Sequence, residues 1–245
     1  MNIDRVVWDS WHKFVYYDND DKSNILDDLS KYRVKLNSNE PIVIYINDLG
    51  LPNVIDETKV DRYIIEFFHH RYYELLILLS IIDKLIRDID IDVLNSRFRR
   101  LFHLLSDNVD INDVIELRDL LDRCINIYKN EYVNYIETGI LGKFYNNLEI
   151  SNVIIDMIVS CIKKSIGLEK YFSFVIDGDN IISKYSQMSI NDYIASRCTG
   201  YLSINVLLSI NSWKYYYSSN GQLIENIHDY SEIDLRKNKV RSIHL

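Results

Sequence analysis

Glycine is scarce here, with 7 in 245 residues, and none of them falls into a G-x-x-x-x-G-K or G-x-G-x-x-G arrangement. Loops of that kind bring backbone N–H groups against phosphates, so phosphate chemistry loses its usual anchor. Cysteine is equally sparse. Cys124, Cys161 and Cys198 are too few and too far apart for a disulfide framework, and no C-x-x-C or Cys/His cluster suggests zinc. A reducing compartment is the natural expectation. Long apolar runs are missing too: Leu75 to Ile82 and Val206 to Ile210 are far shorter than the ~18 residues of a membrane span. The opening MNIDRVVWDSWHKF carries charges every few residues and no apolar stretch of a signal peptide. Positive charge is outweighed, with a formal net charge of −8. The most basic patches, Arg97-Phe98-Arg99-Arg100 and Arg236-Lys237-Asn238-Lys239, are short and sit beside acids. Neither nucleic acid nor an anionic membrane is expected as a partner.

What is present is a skewed palette: 19 tyrosines, abundant Ile, Asn and Asp, and a single alanine, Ala195. Such usage points to an AT-rich genome. Residues 1–55 are rich in β-branched and aromatic runs, Val6-Val7-Trp8, Phe14-Val15-Tyr16-Tyr17 and Ile42-Val43-Ile44-Tyr45-Ile46, which predict a small, partly β N-terminal extension closed by the Gly50-Leu51-Pro52 turn. From there a domain over residues 56–245 follows a helical period. Asp56-Glu57-Thr58 reads as a helix start. Val60, Ile64, Phe67 and Phe68 form one stripe, and Leu75 to Ile86 a longer one. Further helices are expected over 93–105, from Asp110 or Asn112 to Gly139 or Gly142, over 153–166, and in two short pieces, Gln222 to His228 and Glu232 to Ile243. Ser189-x-x-Asp192 has the form of a helix cap, and the apolar run beyond it, to Ile210, predicts a buried central helix. With no alternation of strands and helices past residue 56, the expected fold is an all-α bundle of seven or eight helices.

Candidate chemistry is thin. His69 and His70 would point about 100° apart on a helix and cannot share a metal. Ser106-Asp107-Asn108-Val109-Asp110 is a defective form of the aspartate-rich motif of class I isoprenoid synthases, and no second acidic cluster follows Tyr193 and Arg197. No nucleophile elbow is present. Phe98, Phe102, Leu105, Ser106, Asp107 and Val109 follow the spacing of a BH3-type ligand helix, though capping and core packing account for the same residues. No catalytic residue, metal ligand or cofactor is expected.

Six segments together resemble the poxvirus Bcl-2-like family of immunomodulators: VIDETKVDRYIIEFF, LLSIIDKLIRDIDIDVLNS, LLSDNVDINDVI, KKSIGLEKYFSF, RCTGYLSINVLLSINSWKYYY and YSEIDLRKNK. The resemblance implies a Bcl-2-like bundle around a buried central helix and no enzymatic activity. It also implies a role in the host cytoplasm, binding host signalling or apoptotic proteins, and a homodimer as the form in which it would act. Because no Asn-Trp-Gly-Arg groove motif occurs and no anchor follows Leu245, the first expectation is inhibition of innate immune signalling through NF-κB or interferon-regulatory pathways. The alternatives are an apoptosis inhibitor holding BH3 helices and an isoprenoid synthase. Tyr72, Tyr73, Trp213, Tyr215 and Tyr216 fall off the core stripe and are the candidate protein-binding residues, since Tyr and Trp are favoured contact types.

Overall fold

Five short apolar runs pair into one sheet, all of them parallel, in the order β2-β3-β4-β1-β5. The strands are β1 (Lys13–Tyr16), β2 (Ile42–Ile46), β3 (Phe172–Asp177), β4 (Leu202–Leu208) and β5 (Ser231–Asp234). A computed structural model of the chain describes residues 4–7, 12–35, 40–47, 50–54, 58–105, 111–142, 164, 172–195, 202–209, 212–226 and 229–236. The chain divides into two units, one built from 1–33, 40–53 and 170–245, the other from 34–39 and 54–169.

The first unit is an α/β layer structure. Alternation along the strands sends Val15, Tyr17, Val43, Val175 and Leu207 into one core, where they meet Val6 and Val7 of α1 (Asp4–Val7) and Ile25 and Leu29 of α2 (Lys22–Ser30). On the other face, the Phe14 ring lies 4.6 Å from that of Tyr230 and 5.5 Å from that of Trp213. The segment bearing Trp213 is tied to α6 (Lys184–Ala195) by side-chain amides. Gln187 Oε1 accepts from the backbone N–H groups of Lys214 and Tyr215, and Asn191 Nδ2 donates to the carbonyls of Tyr215 and Tyr217.

The second unit is helical, and its elements follow local signals. Asp61 caps α3 (Arg62–Asp88) by accepting from Tyr63 N at 2.8 Å. Asp90 does the same for α4 (Ile91–Leu105), and Asp113 accepts from Glu116 N to start α5 (Val114–Thr138). Gly139, at φ 71°, ends α5 in the left-handed conformation that glycine adopts without strain. Phe68 of α3 packs against the rings of Tyr128, Tyr132 and Tyr135 of α5 at 5.7 to 6.1 Å.

The all-α expectation is therefore overturned. The helix expected from Ser189 to Ile210 is two elements: Ser189 lies buried inside α6, and residues 202–208 form β4. All 7 residues of β4 are buried, because a central parallel strand is covered on both faces. An unbroken apolar run then looks the same in a strand as in a buried helix. The helix expected from Glu232 is strand β5, and residues 222–226 form isolated bridges, Leu223 with Tyr217 and Asn226 with Tyr230. The runs at residues 13–16 and 42–46 are strands of the same sheet, paired with β4 and β3. The helix expected over 153–166 and the Ser106 to Asp110 stretch lie outside the described residues, apart from Lys164, which is helical.

Candidate functional site

Strand order locates the site before any side chain is considered. From β1 the chain crosses to β2 at one edge of the sheet, and from β4 it crosses over β1 to β5 at the other. Where connections diverge in this way, a crevice opens at the carboxyl ends of the neighbouring strands, and α/β proteins bind ligands there.

At that edge β1 runs through Tyr17 and Asp18 into a 3-10 turn, Asn19–Asp21, and then directly into α2, whose first residues are Lys22 and Ser23. Strand, tight loop and a helix opening on Lys-Ser is the layout of a phosphate-binding loop. β3 ends on Asp177, whose side chain is fully buried. Lys22 Nζ lies 2.6 Å from Asp177 Oδ2, and the same oxygen accepts from Tyr45 OH at 3.0 Å and Asn180 Nδ2 at 2.9 Å. The other oxygen, Oδ1, is buried and accepts no hydrogen bond. Next to this cluster, Asp179 Oδ2 receives Tyr17 OH at 2.5 Å, while its Oδ1 receives Ser209 N at 2.7 Å and Ser209 Oγ at 3.0 Å. Four strand ends, those of β1, β2, β3 and β4, thus meet through side chains.

The electrostatics follow from this wiring. Burial, the hydrogen bond to Asp179 and that carboxylate's charge push the Tyr17 phenol above its ordinary pKa. Burial and the Asp177 charge do the same to Tyr45. Burial alone would raise the Asp179 carboxyl, but the bonds from Tyr17, Ser209 and Ser212 outweigh it and hold it below its usual value. Gly178 lets the end of β3 approach β4: a Cβ there would sit 2.6 Å from side-chain atoms of Val206 and Leu208 and 2.9 Å from the Leu207 carbonyl.

Tested against a nucleoside phosphate, the anchors fit and the loop departs. Lys22 is placed as the point charge for a phosphate, and Ser23 and Asp177 offer hard oxygens to Mg²⁺, which ordinarily takes one or two carboxylates plus the phosphates themselves. Among the described residues, no group of three or more His, Cys, Asp or Glu is placed to hold a metal. The two glycine positions of the loop are held by Tyr16 and Asp21, and Asp18 and Asp20 lie between them. Asp21 N donates to Asp18 O at 2.8 Å, so that amide is turned inward.

The residues expected to contact partners lie elsewhere. Tyr72 and Tyr73 are buried in α3, Trp213 is buried against Phe14, and Tyr215 and Tyr216 are half-buried in the segment that follows β4. His69 is fully buried in the helical unit, with its Nε2 3.0 Å from Tyr132 OH. Sequence reasoning missed Lys22, Asp177 and Asp179. The signals were an apolar run, Phe14 to Tyr17, leading within a few residues to Lys-Ser, and a second run, Phe172 to Ile176, ending on an aspartate.

Among known proteins, no curated protein and no solved structure matches the chain. A family model described as ORC-CDC6-like matches residues 55–240, and that family is related to the AAA+ ATPases. The match overturns the resemblance to poxvirus Bcl-2-like proteins and, with it, the non-enzymatic inhibitor of innate signalling, the BH3-binding apoptosis inhibitor and the isoprenoid synthase. It equally overturns the expectation that the chain has no enzymatic activity, since the AAA+ ATPases to which the family is related are enzymes. Because the match spans well over half of the chain, the chain belongs to the ORC-CDC6-like family.

Proposed function

We propose that the α/β unit is a nucleotide-binding module of the AAA+ kind, taking the phosphate end of a nucleoside triphosphate at the carboxyl edge of its sheet. One observation carries the reading: Lys22, at the start of the helix after β1, and the buried Asp177, at the end of β3, converge to 2.6 Å. Lys22 would hold a phosphate oxygen, and Ser23 and Asp177 would hold Mg²⁺. The metal, when bound, offsets phosphate charge and ties phosphate to protein. The chain's own contribution is orientation. Tyr45 and Asn180 fix the Asp177 carboxylate, and Tyr17 and Ser209 fix the neighbouring Asp179.

Titration with a fluorescent ATP analogue in Mg²⁺ buffer tests this. Saturable binding that weakens at least about tenfold in Lys22→Ala supports the proposal, in line with a lost charge-assisted contact. Absence of binding at millimolar nucleotide in the folded wild-type protein defeats it. Phosphate release, measured on the same sample, reports turnover.

A further inference from the structure

Several described arginines are held by carboxylates: Arg62 by Glu66 at 2.7 Å, Arg71 by Glu74 at 2.6 Å, Arg118 by Asp83 at 3.1 Å and Arg236 by Asp234 at 2.7 Å. Arg99 and Arg100 of α4, in the helical unit, differ. Both are exposed, and among the described residues neither makes an ion pair, hydrogen bond or ring contact. The opposite side of α4 is buried through Leu94, Phe98, Leu101 and Phe102, so the helix is fixed without help from these two cations. At about 100° and about 1.5 Å per residue, Arg100 lies nearly in line with Val93, roughly 10 Å further along, and Arg99 follows Ile91 on a diagonal through Asn95, roughly 12 Å along. Ile91 and Val93 are themselves exposed, at 41% and 37%. Asn95 Oδ1 accepts from Val114 N at 2.9 Å, which brings Ile115, also exposed, alongside the Ile91 diagonal. Each line thus starts aliphatic and ends on an unpaired guanidinium.

We infer that this face of α4 docks an acidic amphipathic segment of a partner protein, with aliphatic side chains seated on Ile91, Val93 and Ile115 and carboxylates, about two helical turns further on, held by Arg99 and Arg100. A guanidinium takes a carboxylate through two parallel hydrogen bonds, which fixes register as well as adding affinity. Covering the aliphatic starts of the two lines removes apolar surface from water. The same chemistry disfavours the phosphates of a nucleic acid. Two guanidiniums displace few counterions, the chain as a whole carries −8, and the exposed Asp92 stands beside Val93 where a phosphate backbone would continue. Phosphates would also gain nothing from the exposed aliphatics. The inference is independent of the nucleotide reading, since it uses none of the residues at the edge of the sheet.

The experiment pans a random peptide display library against the full chain, then measures the enriched peptides, and a random-sequence DNA duplex beside them, by fluorescence anisotropy. Wild type is compared with Arg99→Glu/Arg100→Glu, and circular dichroism confirms that the variant folds; Arg99→Gln/Arg100→Gln, which adds no negative charge, takes its place if it does not. The inference expects enrichment of sequences that combine aliphatic residues with two or more Asp or Glu, and binding at least about tenfold weaker in the double variant. It further expects the glutamate variant to bind a charge-swapped peptide, with Lys in place of each acid, that wild type rejects. Enrichment without acidic residues, or no enrichment at all, overturns the inference. So does peptide binding that ignores the double variant. A duplex that binds more tightly than every enriched peptide, and loses binding in the same variant, overturns it in favour of nucleic acid.

Discussion

At the scale of single residues, the site is held by positions that tolerate little change. Gly178 is not needed for its backbone freedom; it is needed for space, because a methyl would press on Val206, Leu208 and the backbone of Leu207. Gly178→Ala is expected to cost about 1–3 kcal/mol through overpacking, read as a lower urea midpoint at unchanged slope. Tyr17 acts on Asp179 in a different way. Hydrogen bonds lower the folded pKa of Asp179 below its unfolded value. Its contribution to stability is therefore complete above the ordinary carboxylate range and disappears as pH falls through the depressed folded value. Tyr17→Phe removes one of those bonds, so the Asp179 carboxyl should titrate at higher pH, and the acid loss of stability it causes should be smaller and complete at a higher pH. Side-chain carboxyl resonances followed by NMR across the acid range would show it, and an unmoved titration would place the cause elsewhere.

At the scale of elements, the bodies of α3 and α5 were legible in the sequence because their signals are local, although their caps are Asp61 and Asp113 rather than Asp56-Glu57-Thr58 and Asp110 or Asn112. The stripes of α3 and α5 repeat every three to four residues, aspartates stand at their starts, and Gly139 closes α5. Parallel strands leave a less reliable mark: the runs of β1 and β2 read as strands, but that of β4 did not. LSINVLL in β4 is buried on both faces and carries no alternation, and the serine and asparagine in it look like the small flank of a packed helix. In the sheet, Asn205 Nδ2 instead reaches Ser173 Oγ at 2.9 Å on the adjacent strand. The site was illegible for a related reason: without glycine, Tyr16 to Ser23 does not match the pattern that marks a phosphate loop, and its meaning emerges only when β3 brings Asp177 alongside. The segment after β4 is anchored to α6 as well as bridged to Leu223, since Gln187 supplies the acceptor for two of its amides. Gln187→Ala should leave the N–H groups of Lys214 and Tyr215 to exchange with solvent at least tenfold faster than in wild type, measured by hydrogen exchange.

At the scale of the whole molecule, each unit encloses a neutral histidine. In the α/β unit, burial and then the nearby Lys13 bring His12 down to about 4, against a smaller opposing pull from Asp229; its Nδ1 accepts from Ile204 N. In the helical unit, burial brings His69 down to about 3. Unfolding exposes both rings to water, where they protonate near 6.5. Between that value and the folded pKa, the unfolded chain binds more protons. Stability is then complete above about pH 6.5 and erodes as the solution is acidified, by roughly 3 kcal/mol for His12 once pH reaches its folded value. Urea midpoints that decline steadily between pH 7.5 and 4.5 would bear this out, and a flat profile would refute it.

The pairing of Ile42 with Phe172 and of Ile46 with Ile176 carries a consequence for biogenesis. At synthesis rates of about 5–20 residues per second, β2 leaves the ribosome many seconds before the strand it lies beside, with residues 54–169 of the helical unit made in between. Until then its hydrogen-bonding edges are bare, a state prone to pairing with other nascent chains. Renaturation from denaturant should accordingly be slow and should yield less soluble protein as concentration rises, because the sheet joins its members across such long stretches of chain.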